Sequence, residues 1–379
     1  MLGIFSIVTT EILPIGLLTA IGHDFGVSDG TAGLMMTTPG VLAAVAAPTV
    51  TLATARVDRR LMLCALVLLL AVANFLAAGA PGYGLVLLSR VLVGIVVGGF
   101  WSIGAGLAER LVRPEAVGRA TAVIFSAVPL GSVLGVPAGT YIGDLAGWRT
   151  ALVVTGALAL AVFALTALVT PALPAVGRAT RPHVLRAVAR RTHTRFALLV
   201  TFLIVLAHFG TYTYVTPFLE RVTRVTSPGV ITLFLLIYGA AGIVGNFLGG
   251  ATVRRRPRAT LGVAAGLLAA ATLLLPVVGL GDVGALALLI VWGIGYGAVP
   301  VSVQAWFARS APDAPEAASV LFTASFQATI SLGALAGGAV LDSTSPSAVM
   351  TIGGATAVLV VLVAWLHFAK GPQWPGPAA

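Results

Sequence analysis

"LGIFSIVTTEILPIGLLTAI", residues 2–21, is an apolar run with a carboxylate, Glu11, and a proline, Pro14, near its middle. As an α-helix, a run of this length rises about 30 Å, the thickness of a bilayer's hydrocarbon core. It has no basic leader and is longer than the apolar region of a secretory signal, so it reads as a membrane helix. Eleven further runs of the same kind follow, at 32–54, 61–79, 84–106, 119–141, 150–170, 196–216, 229–252, 259–279, 284–307, 317–341 and 347–369. The whole chain of 379 residues is 58% hydrophobic and 9% charged, with a mean hydropathy of +1.04. Soluble domains hold about half apolar and a quarter charged residues. The expected fold is therefore an all-α membrane protein of twelve transmembrane helices.

A net charge of +10 would suggest nucleic acid in a soluble protein, but here the basic residues mark topology. With the N-terminus inside, eighteen arginines and lysines fall in inside loops and three, Arg149, Arg221 and Arg224, outside, with Arg90 left within a helix. That bias predicts cytoplasmic termini in a bacterial inner membrane and no nucleic-acid partner. The lone cysteine, Cys64, can neither pair within the chain nor complete a metal site. No metal or cofactor is expected, and no enzyme: HExxH, GxSxG and phosphate-loop patterns are missing, and "GIGYGA" at 293–298 lies in a helix-packing sequence without a strand–helix unit.

Residues 171–195, with six arginines and two histidines, interrupt the apolar pattern and divide the chain into bundles at 1–170 and 196–379 joined by a cytoplasmic basic linker. After Pro182 the linker reads either as a short basic helix on the membrane surface or as a simple tether. An offset of 198 residues aligns Arg56 with Arg254, Arg60 with Arg258, Gly135 with Gly333, Gly139 with Gly337 and Asp144 with Asp342. These pairs indicate a duplicated six-helix unit, giving two pseudo-symmetric bundles. Such repeats place a binding site at the midplane between halves that rock around it.

Glu11 lies about 14 Å into the first helix, near the bilayer centre. A charge there costs at least about 2.5 kcal/mol, and such residues face cavities or proton paths. Glu11 is the candidate proton carrier; the alternative is a permanently neutral group bonding a neighbouring helix. Pro14 frees the carbonyl of Thr10 beside it. Arg90 either turns inward and tunes the charge of the acid or snorkels to head groups. His208, which the repeat aligns with Thr10, is a candidate for proton transfer or a packing residue. Tyr212 and Tyr214 are candidates for substrate contact, with helix packing as the alternative, and Trp101 and Tyr296 for lining the cavity. Asn74, Asn246, Trp292, Gln304 and Gln327 are further polar or aromatic candidates able to bridge helices. Gly131, Gly135 and Gly139, interleaved with Pro129 and Pro137, form a small-residue groove that Gly333 and Gly337 repeat.

These residues resemble the major facilitator superfamily, and within it the twelve-helix branch that exports drugs and sugars in exchange for protons. The resemblance spans the chain, most specifically in "TTEILPIGLLTAIGHDFGVS", "LLSRVLVG", "GGFWS", "LGSVLGVPAGTYIGDLAGWR" and "HFGTYTYVTPFL". It implies a gating role for the helix 5 glycines and Pro137, which comes one residue later than in the family pattern. It also implies that Arg56, Asp58, Arg59 and Arg60, in the loop "TLATARVDRR", latch the cytoplasmic ends of the two halves. Thr51, Ala55 and Asp58 depart from the usual glycine, acid and glycine there, and Val93 stands for the usual glutamine after Arg90. The function implied is alternating-access export of a small solute (a drug, sugar or natural product) for protons, by a monomer whose partners are that solute, protons and the lipid bilayer. Proton-independent sugar efflux and a non-transporting membrane sensor are the alternatives.

Overall fold

The computed structural model describes residues 1–53, 57–104, 112–113, 123–124, 127–174, 182–225, 227–253 and 255–369. The first apolar run is not one straight rod. Pro14 cannot donate to Thr10, and the run divides into α1 (Leu2–Ile12) and α2 (Pro14–Phe25), inclined by 42° to each other. A short α3 (Asp29–Ala32), N-capped by Ser28, turns the chain into α4 (Leu34–Ala53). Then come α5 (Arg59–Ala78), α6 (Tyr83–Gly104), α7 (Ala127–Leu130), a π-turn at Gly131–Gly135, α8 (Val136–Ala146) and α9 (Trp148–Val169).

The second half starts with α10 (Pro182–Ala189) and α11 (Thr192–Tyr212), so its first long helix begins before the expected residue 196. This helix too is broken past its middle, giving α12 (Val215–Phe218) and a second π-turn at Leu219–Thr223. Five long helices complete the described residues: α13 (Pro228–Val253), α14 (Pro257–Val278), α15 (Asp282–Ser310), α16 (Pro315–Ser343) and α17 (Pro346–Ala369). Among the described residues ten helices are long and apolar enough to cross a membrane, or eleven with the bent α1–α2 pair taken as one. The expected span at 119–141 is described only in part, so the count of twelve is not reached among these residues.

Small residues set the close helix contacts. A Cβ on Gly131, Gly135 or Gly139 would meet Val8, Thr9 or Leu13 of the first span, so this glycine groove seats the first span. In the other half, Gly333 and Gly337 of α16 lie against Gly210 of α11. The same groove thus seats the same neighbour in each half, as a duplicated unit requires.

The linker helix α10 is not a free tether. Its Val184, Leu185 and Val188 pack on the core around Phe196, Trp306 and Phe307. Beside it Arg191 grips Asp313 with both guanidinium nitrogens, at 2.6 and 2.7 Å. The guanidinium holds the Asp313 carboxyl down to about 2.

The loop before α5 also departs from expectation. Asp58 caps α5, accepting from the Arg60 amide at 2.7 Å, and accepts from the Leu173 amide at 3.1 Å. The Arg59 amide donates to the Leu173 carbonyl at 2.9 Å, and the Arg60 side chain to the Ala167 carbonyl at 2.5 Å. Asp58 and Arg60, with the Arg59 backbone, therefore staple α5 to the end of α9 within one half instead of latching the two halves. The five N–H donors of arginine suit this use, since the carbonyls at a helix end lack internal partners. Arg56 lies outside the described residues.

The halves meet along α4–α16 and α8–α13. One run of polar contacts between the two halves extends from the middle of this seam to the end away from α1's start, called the far end below. They are Gln327 to Glu11 at 2.8 Å, Thr216 to the Ile15 carbonyl at 3.0 Å and Thr19 to Glu220 at 3.1 Å. Beyond them Asp342 accepts from Ser28 at 2.7 Å and from the Gly30 amide at 3.0 Å, Arg221 pairs with Asp29, and Thr232 donates to Asp144 at 3.3 Å. The molecule is clasped at its far end.

Candidate functional site

The site begins at the break in the first span. Arg90, 3% exposed on α6, turns inward and does not snorkel. Its Nη1 donates to the Thr10 carbonyl at 2.9 Å, its Nη2 to the Glu11 carbonyl at 2.8 Å and its Nε to the Met35 carbonyl at 2.8 Å. The planar fork thus satisfies the backbone that Pro14 leaves open. Arg90 acts on the Glu11 carboxyl through space, as a nearby positive charge, and not by a side-chain hydrogen bond. Asn74 adds a bond to the Thr10 hydroxyl at 3.1 Å.

With its backbone held this way, Glu11 presents its carboxyl to the seam. It is 8% exposed and accepts one hydrogen bond, from Gln327 Nε2 on α16. Acid and amide lie 316 positions apart in the chain and on opposite halves.

Facing the acid from the second half is a ladder of rings. Tyr238 stacks on Tyr212 with centroids 4.5 Å apart, Tyr212 on His208 at 5.1 Å, and His208 on Tyr296 at 3.3 Å. Trp292 stands edge-on to Tyr238, Tyr212 and His208 at 5.8–5.9 Å. Edge-to-face and offset packing of this kind suits the ring quadrupoles. Trp292 Nε1 donates to His208 Nδ1 at 3.1 Å. Indole nitrogen is a donor only, so Nδ1 carries a lone pair and the imidazole is neutral here. Tyr296, the last rung, lies within electrostatic reach of Glu11.

The expected residues separate into groups. Glu11, His208, Tyr212 and Tyr296 come together, with Arg90 behind the acid. Tyr214 does not join them: fully buried, its hydroxyl donates to the Ala334 carbonyl at 2.7 Å, and its ring fills the notch over Gly33 and Gly338. It belongs to the far-end seam, a correction to its expected place in the substrate cavity. Trp101 packs against the core of the first half. Gln327 and Trp292 stood among the bridging candidates without an assigned role, and Tyr238 carried no signal beyond being a tyrosine in an apolar helix.

A broken helix with a buried acid, set between two repeats and opposite an aromatic wall, defines a membrane carrier. A family model described as Major Facilitator Superfamily matches residues 1–328. The transcription regulatory protein OpdE of Pseudomonas aeruginosa is 34% identical over 372 residues, covering 96% of this chain and 90% of that protein. The purine ribonucleoside efflux pump NepI of Escherichia coli (strain K12) is 30% identical over 368 residues, covering 94% and 90%. Among solved structures, a mutant of the nucleoside transporter NupG superposes with a TM-score of 0.76 at 14% identity, covering 97% of this chain and 98% of that one. A bacterial homologue of the human lysosomal transporter Spinster, in an inward-facing and unoccupied conformation, superposes with a TM-score of 0.75 at 17% identity, covering 97% and 94%. This chain belongs to the major facilitator superfamily. It is a multi-pass membrane transporter and not an enzyme.

Proposed function

We propose that this transporter exports a small polar aromatic solute in exchange for protons by alternating access, with Glu11 as the proton carrier. The observation that carries the reading is the Glu11 carboxyl, buried at the seam between the halves at the end of a ring ladder. Substrate arriving from the cytoplasm displaces the proton and takes the carboxylate from Gln327, the halves rock open at the far end, and reprotonation there resets the carrier. Both termini are cytoplasmic on this reading, the membrane is the bacterial inner membrane and the working unit is a monomer.

For the solute, purine ribonucleosides take precedence over the drugs and sugars that the family resemblance implied. NepI is named for their efflux. A purine is a flat ring that could stack at the Tyr296 end of the ladder, and its N–H groups could donate to Glu11. His208, neutral and bonded to Trp292, serves as a rung of this wall and not as a second proton carrier.

The test uses purified protein in proteoliposomes with inosine and guanosine and an entrapped pH dye. Nucleoside addition releases protons in the wild type, and an uncoupler removes the gradient-driven flux. Glu11→Gln abolishes release while folding normally. Nucleoside movement with no proton release in the wild type would support proton-independent efflux instead. A second reading, a non-transporting sensor, draws on the name of OpdE; tight nucleoside binding with no movement across the bilayer would favour it.

A further inference from the structure

The Glu11–Gln327 bond links the seam at mid-depth, and its two ends have different chemistry. Glu11 changes charge; Gln327 does not. The Gln327 amide sits on a stretch of α16 held firmly in place. A Cβ on Gly40 of α4 would meet the Gln327 carbonyl and the Ser331 hydroxyl, so the helices touch backbone to backbone there. Ser331 in turn donates to the Gln327 carbonyl at 3.2 Å. The amide therefore reaches Glu11 only while α16 lies against α4, that is, while the far end is clasped.

We infer that Gln327 is the positioning residue through which the C-terminal half senses the charge on Glu11. This deepens the proton-exchange reading and rests on it. A hydrogen bond to an ionised carboxylate is about twice as strong as one between neutral groups. Ionised Glu11 thus ties α1 to α16 and favours the far-end-closed arrangement. Protonation weakens the tie, and the halves are free to part at the far end. A ligand, here the proton, shifts a conformational equilibrium only by its unequal affinity for the two states, and the Gln327 bond supplies that inequality.

The other charged or titratable groups facing Glu11 are Arg90, whose donors are engaged with the three carbonyls, and Tyr296, with His208 stacked behind it. The far end also carries the acids Asp29, Asp144, Glu220 and Asp342, so the comparison needs a variant that keeps them and removes only the Glu11 charge.

The experiment places spin labels at the exposed far-end positions Leu145 and Leu280, in full-length protein with Cys64→Ala, and measures the interlabel distance distribution between pH 5 and 9. The ratio of open to closed far ends is read for the wild type, Gln327→Met, Gln327→Leu and Glu11→Gln. In the wild type the ratio rises as pH falls. Both Gln327 variants raise the ratio about five- to tenfold more at high pH than at low pH, the difference between losing a charge-assisted and losing a neutral bond. Glu11→Gln keeps only the residual response of the far-end acids. If the Gln327 variants raise the ratio equally at all pH values, or leave it at wild-type values, Gln327 is a passive strut and the inference is overturned while the Glu11 reading stands. If Glu11→Gln responds to pH as strongly as the wild type, the proton-carrier reading itself fails.

Discussion

At the scale of single residues, the site depends on a backbone repair. Pro14 opens the first span, and Arg90 fills the opening with charge-assisted hydrogen bonds to the Thr10 and Glu11 carbonyls, and a third to Met35 on α4. Removing it would leave buried acceptors without donors, so Arg90→Ala should cost about 2–5 kcal/mol of stability. Arg90→Lys should recover little of this, because one ammonium cannot reproduce a planar fork. Thermal melting in detergent checks both, and a melt unchanged in Arg90→Ala would refute the repair. The importance of Glu11 was legible in the sequence because an acid in a 20-residue apolar run is costly wherever it points. Its partner was not, since Gln327 lies 316 positions away and no local pattern records which helix faces which. The position of Arg90 was legible and its task was not: its charge suggested a pairing with the acid, whereas its donors answer the carbonyls around the broken helix.

At the scale of elements, the glycines divide into two kinds by what they touch. Gly135 packs on Thr9 within one half, whereas Gly40 packs on Gln327 and Ser331 across the seam. A valine at Gly135 must displace a β-branched neighbour in every conformation, and about 1–3 kcal/mol of stability should be lost. A valine at Gly40 meets its obstacle only while the far end is closed, so it should shift the balance toward the open arrangement and change the melting temperature less. Melting temperature paired with labelling of far-end cysteines separates these outcomes; equal loss of stability from both would count against the seam assignment. The helix 5 glycines were legible through their four-residue spacing and their repeat 198 positions later. Gly40 was not, because it has no periodic companion. Tyr214 misled for a related reason: it shares a helical run with Tyr212, and the break after α11 turns the two rings to different neighbours.

Across the whole molecule, the hydropathy pattern was enough to give an all-helical membrane fold, because burial in lipid imposes the same length and composition on each span. How the bundles are tied together was less visible, since the linker is rich in charge and proline and its docking depends on Val184, Leu185 and Val188 finding a distant core. The Arg191–Asp313 pair fastens that docked helix to the second bundle. A carboxyl held down to about 2 contributes fully above the ordinary aspartate range, and its contribution fades as pH falls through about 2. The fastening should therefore be unchanged from pH 8 to pH 4, and Arg191→Ala should return Asp313 to titration near about 3.9. Carbon-13 spectra of labelled aspartate follow this directly, and wild-type titration already at that ordinary value would refute the pairing. Leu173 is pinned to the first bundle and Pro182 opens the helix docked on the second, so eight residues bridge the anchors. Stretched fully, that leash reaches about 30 Å. In the proposed alternating-access cycle it caps the stride: whatever drives the halves, these two anchors can separate no further than the leash permits.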